Sequence, residues 1–156
     1  MSEGRGNSQG GTGAISEELD RLSCDLLGQA LDALAAGIEL TSVVAVEDEA
    51  GAVSSCAFED DGPEECLEAA RAYVRRVARD GGDRPAGLGR PVRYALVYDG
   101  DVADESGAYA PALILEFGER GQEVAFTGFV LYDGFGRGEG FSWSDAQAAG
   151  ETEPLL

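Results

Sequence analysis

The sequence predicts a single α+β domain: two helices and a mostly antiparallel five-stranded sheet, in the order α-β-β-α-β-β-β, with both helices on one face. Three observations lead there. Two segments repeat apolar residues every three or four positions, five segments are short β-branched or aromatic runs, and Gly- or Asp-rich turns separate the runs. A chain of 156 residues is the right length for one core. Its 44% hydrophobic and 26% charged residues are ordinary globular values.

Residues 1–14, rich in Gly, Ser, Asn and Gln, have little to bury and read as a disordered N-terminal segment before a domain spanning 15–133. Ser16 is placed to cap a helix whose first turn holds Glu17 and Glu18, carboxylates that suit the positive end of the dipole. Leu19, Leu22, Leu26, Leu27, Ala30, Leu31 and Leu34 then recur on one side until Gly37 stops the helix.

"IELTSVVAVEDEAGAVSSCAF" follows, two extended runs around an acidic turn with Gly51, which predicts a hairpin. The second helix begins at Pro63 and carries an apolar stripe of Cys66, Leu67, Ala70, Tyr73, Val74 and Val77. Arginines fill its last turns before Gly81-Gly82. Three more runs, 91–98, 108–117 and 123–132, complete the sheet, and the Gly-rich tail 134–156 is expected to pack partly on it through Phe141 and Trp143.

The last two runs are apolar at both odd and even positions, so both sheet faces should be covered. Two helices cover about one face of such a sheet. The other then calls for the tail or a second copy, and a homodimer is the expectation.

Charge narrows the function. There are 30 acidic and 11 basic residues, a net charge of −19, and every basic residue is Arg; Lys and His are absent. Phosphate-loop and Schiff-base chemistry lack their lysine, and triads lack their usual histidine. So negative a field opposes nucleic acid and anionic membranes as partners. No stretch is long and apolar enough to span a bilayer, "MSEGRGNSQGGTG" lacks a signal-like apolar core, and Cys24, Cys56 and Cys66 form no Cys-x-x-Cys pair. The expectation is a cytoplasmic protein with three buried thiols.

"ALVYDGDVAD" (95–104) is the segment that most invites a chemical reading. Its strand followed by Asp99-Gly-Asp101-Val resembles the nucleophile loop of the haloacid dehalogenase-type phosphotransferases. The resemblance implies Asp99 as nucleophile, Asp101 as acid/base and Mg²⁺ beside them. That chemistry needs cationic neutralisation of the phosphoryl group, yet the chain has no lysine and too little sequence after Val102 for the family's core. A weak cation loop from Asp99, Asp101, Asp104 and Glu105 departs from the EF-hand at position 5, which is Ala103, and at position 6, which is Asp104. The remaining reading is a strand end with an acidic connection. No catalytic, cofactor-binding or metal residue is assigned, and no cofactor is expected.

Two family resemblances bear on function. Helix 1 ending in "LAAG", then "VVAVEDEAGAVSS", helix 2 and three strands resemble the roadblock-type, profilin-like domain in element order. This implies a dimerising scaffold or regulator of small GTPases without catalysis. Residues 93–121, "RYALVYDG…ALILEFGERG", resemble a strand-loop-strand signature of small uncharacterised bacterial proteins, in which Glu116, Glu119 and Arg120 would stabilise a turn. The expected function is a non-enzymatic protein-interaction module that dimerises through its sheet. The alternative is an acidic inhibitor or immunity-type protein that neutralises a basic partner, and the third reading is a metal-dependent carboxylate enzyme.

Overall fold

In the computed structural model, which describes residues 15–59, 62–103 and 105–156, the chain folds as α1 (Glu17–Ala35), β1 (Ser42–Asp48), β2 (Val53–Phe58), α2 (Pro63–Asp80), β3 (Pro91–Ala103), β4 (Tyr109–Glu119), β5 (Ala125–Asp133), β6 (Ser142–Trp143) and β7 (Gln147–Thr152). Residues 1–14 lie outside this description. The strands form one antiparallel sheet in the order β2-β1-β3-β4-β5-β6, with β7 also pairing β5. The five strands expected from sequence become seven, because the tail supplies β6 and β7.

Local chemistry sets the helix ends. Ser16 Oγ accepts the Leu19 N–H at 3.1 Å, which satisfies one donor of α1's first turn. Pro63 opens α2, where a missing N–H costs nothing, and Gly81 closes it with φ +74 and its N–H on the Val77 carbonyl.

The sheet register decides where each helix goes. Ala45, Ala95, Val97, Leu113 and Leu115 share one face and pack against Leu22, Leu26 and Leu34 of α1. Val44, Val46, Tyr94 and Leu96, one step along the same strands, face the other way and pack against Ala70, Val74 and Val77 of α2. The helices therefore lie on opposite faces, which corrects the placement of both on one. Each fully buried leucine or valine contributes about 2 kcal/mol of burial, so neither face could be left open. The tail assists on both sides: Phe141 is buried on the α1 face, stacked on Tyr132 at 5.7 Å, and Leu155 is buried on the α2 face. Trp143, expected over the sheet, is 58% exposed.

The buried thiols need a similar correction. Cys66 is buried and Cys56 half-buried, but Cys24 is exposed on the outer side of α1, and no disulfide joins the three. No described helix is long and apolar enough to cross a membrane.

Candidate functional site

"ALVYDGDVAD" is not a loop. β3 runs through it to Ala103, with Asp99 opposite Leu113, Gly100 opposite Ala112 and Asp101 opposite Pro111 on β4. The turn comes later, at 105–107, and Asp104 lies outside the described residues. Asp99 is half-buried and accepts a 2.7 Å hydrogen bond from the Tyr132 hydroxyl. Burial raises its carboxyl above the ordinary value, and nearby Asp101 adds to the rise. Among the described residues no three acidic or thiol side chains converge on a point that could hold a metal. Asp99 binds protons more tightly in the folded chain than in the unfolded one. Its contribution to stability therefore falls as pH rises from the ordinary carboxylate range through the raised value. Asp99→Asn should be more stable than the wild type at neutral pH in thermal melts, a gain that vanishes below about pH 4.

The second carboxylate of note is Glu116, in the middle of β4 on the α2 face and 6% exposed. Arg71 of α2 grips it with Nε, at 3.2 Å, and Nη2, while its Nη1 reaches Glu68 one turn back. The Tyr98 hydroxyl donates to the same carboxylate at 3.1 Å. Burial, followed by the charge of Glu116, pushes Tyr98 up to about 12, which keeps it a donor at any working pH. The Arg71 guanidinium is held charged by its hydrogen bonds to Glu116. Three donors from within the protein thus meet this carboxylate, one on Oε1 and two on Oε2. Glu119 belongs elsewhere: it accepts from Arg93 Nε at 2.7 Å on the α1 face, where Arg93 also reaches Glu47 at 3.0 Å. Glu116, Glu119 and Arg120 thus form no common turn-stabilising set.

A third cluster sits at the C-terminal end of α2. Asp48, buried at the β1–β2 turn, accepts the N–H groups of Ala50 and Ala52, each at 2.9 Å, and of Gly89 at 2.7 Å. It clamps the hairpin to the loop 81–89. These backbone donors, Gly89 first, hold the Asp48 carboxyl below the usual range. Its stabilisation is fully present above the ordinary pKa of about 3.9 and is lost as pH falls through the lower folded value. Asp48→Asn should flatten the acid limb of a stability-pH profile below about pH 4. The loop borders a hollow of about 600 Å³ walled by Arg76, Asp80, Asp83 and Arg84. Tyr73 donates to Asp83 at 3.1 Å beside Cys56, whose thiol is pushed up by burial and so disfavours the nucleophilic thiolate.

The fourth feature is an edge. β2 pairs only β1 among the described residues, continuously from Ser42↔Phe58 to Glu47↔Val53. The Asp48 N–H bonds the Ala52 carbonyl, so in the alternating antiparallel ladder Ser54, Cys56 and Phe58 point their backbone groups at β1. Val53, Ser55 and Ala57 point theirs outward, and the same three side chains are the exposed ones. No residue of β2 is charged. The strand was legible in the sequence as the second arm of a hairpin, but not as a site, although it is a short neutral run in so acidic a chain.

Searches against protein-family models, curated proteins and solved structures return no match to this chain.

Proposed function

We propose that the protein is a non-enzymatic protein-interaction module that pairs with a second copy of itself through its sheet. The observation that carries this reading is β2: six uncharged residues at a sheet edge, with the backbone groups of Val53, Ser55 and Ala57 facing outward. Natural sheets blunt such edges, and one left open is a template for another strand. Asp48, Asp99, Glu116 and Glu119 are each engaged by hydrogen bonds within the fold, and this supports an interaction role over carboxylate catalysis.

α1 and α2 take one sheet face each, so the need for a second copy does not come from an uncovered face. It comes from the edge. Light scattering at micromolar concentration should give twice the 16.2 kDa chain mass; a monomer throughout that range overturns the reading. The net charge of −19 favours a second reading, an inhibitor of a basic partner. Salt separates the two. Self-pairing of acidic chains tightens as salt screens their repulsion, whereas binding to a basic partner weakens.

A further inference from the structure

The two edges of the sheet are built differently. At the far edge, β7 has a register shift opposite Thr127/Gly128, Gly150 at φ +146 and the charge of Glu151, while β6 is only two residues long. A bulge, a charge and a short strand are the usual devices against edge pairing. β2 has no bulge, charge or proline over six paired residues.

We infer that β2 pairs antiparallel with β2 of a second copy, in the register that sets Ser55 opposite Ser55 and Val53 opposite Ala57, making one continuous sheet across the dimer. This rests on the dimer reading and names its atoms. In an antiparallel pair, residues facing each other lie on the same face, so a strand meeting its own copy can be centred on a residue and never between two. Centring on Ser55 matches the three outward-facing residues with one another. Val53, Ser55 and Ala57 of each chain then exchange N–H···O=C bonds, and all twelve backbone groups, six from each chain, are used. Centring on Cys56 would set Val53 against Glu59 and bring a carboxylate into the ladder.

Side chains agree with this register. Val53, 53% exposed at the rim of a groove with Leu22 and Leu26 of α1, gains a small apolar neighbour in Ala57 of the other copy, and two serines meet at the centre. The two-fold axis runs normal to the sheet, which leaves α1 of both copies on one side and α2 of both on the other. Two chains of charge −19 can approach here because β2 carries none of that charge.

The test uses the full chain. Ala57→Pro removes an outward N–H and spares the β1 ladder, so melts taken on chains diluted to monomers should match the wild type, while the dimer dissociation constant rises at least ~10-fold. Ser54→Cys in a Cys24→Ser background should form, under mild oxidation, a disulfide to Cys56 of the other copy. In this register those residues are a non-hydrogen-bonded pair about 4.5 Å apart at Cα, within disulfide reach. Ala148→Lys on β7 should leave the dimer intact. A dimer that ignores Ala57→Pro and yields no cross-link overturns the β2 pairing and leaves the dimer reading standing. A wild-type monomer at micromolar concentration overturns both.

Discussion

Arg71→Met is expected to lower the unfolding free energy by about 3 kcal/mol in urea titrations. Glu116 is 6% exposed, and its carboxylate takes two donors from Arg71 and one from Tyr98. Removing the guanidinium leaves a buried charge with Tyr98 alone. Breaking a buried pair from one side costs roughly 3–5 kcal/mol, and the lower end applies because the Arg71 side chain keeps 27% of its surface in water. The paired replacement Arg71→Met with Glu116→Leu should regain most of the loss, since burying neither charge avoids both desolvation penalties. What remains is the Tyr98 hydroxyl without its acceptor, worth about 1 kcal/mol and removed by adding Tyr98→Phe. A loss below about 1 kcal/mol in the single variant would show that water reaches Glu116 and that the pair does not fasten α2 to β4.

Gly82→Ala should be at least as damaging, at about 3 kcal/mol or more. Gly82 sits at φ +137, and a Cβ there would lie 2.4 Å from the Leu88 carbonyl oxygen and 2.8 Å from that of Gly89. Strain from the backbone angle is about 1–3 kcal/mol and overpacking about as much again, and the contacts are backbone atoms that no rotamer change can move. Relief requires the loop to open, which breaks the bridge of Asp83 to Leu88 and draws the Gly89 N–H off Asp48. The variant should therefore also show a weaker acid limb, as in Asp48→Asn, in the same pH series. Gly81→Ala is the control. Gly81 also has a positive φ, +74, but a Cβ there meets nothing within 4 Å, so the cost should stay near ~1 kcal/mol. Equal losses at both positions would assign the effect to backbone angle alone.

Much of the fold was legible because its signals are local. Ser16, Pro63 and the Gly81 stop act within one helical turn, and the leucines of α1 declare their stripe without reference to anything distant. β1 to β5 were legible as runs. Three matters were not. Asp99-Gly-Asp101 has turn composition, and only pairing with Leu113, Ala112 and Pro111 of β4 keeps it extended. β7, "QAAGET", has no apolar alternation and is a strand because β5 offers it an edge. The face taken by each helix could not be read from strands apolar on both sides, because period-two patterning names a buried face only when the other is polar.

The candidate sites follow the same division. Their residue types, many carboxylates and arginine without histidine or lysine, were set by the sequence. Which carboxylate is buried, and what it meets, was decided only by the tertiary structure. Arg71 and Glu116 stand 45 positions apart and come together because α2 crosses the face on which β4 presents Glu116. The open edge belongs to that second kind. "VSSCAF" is a neutral run in any fold, and it becomes an outer strand with three residues facing solvent only once β1 has taken β3 as its other neighbour.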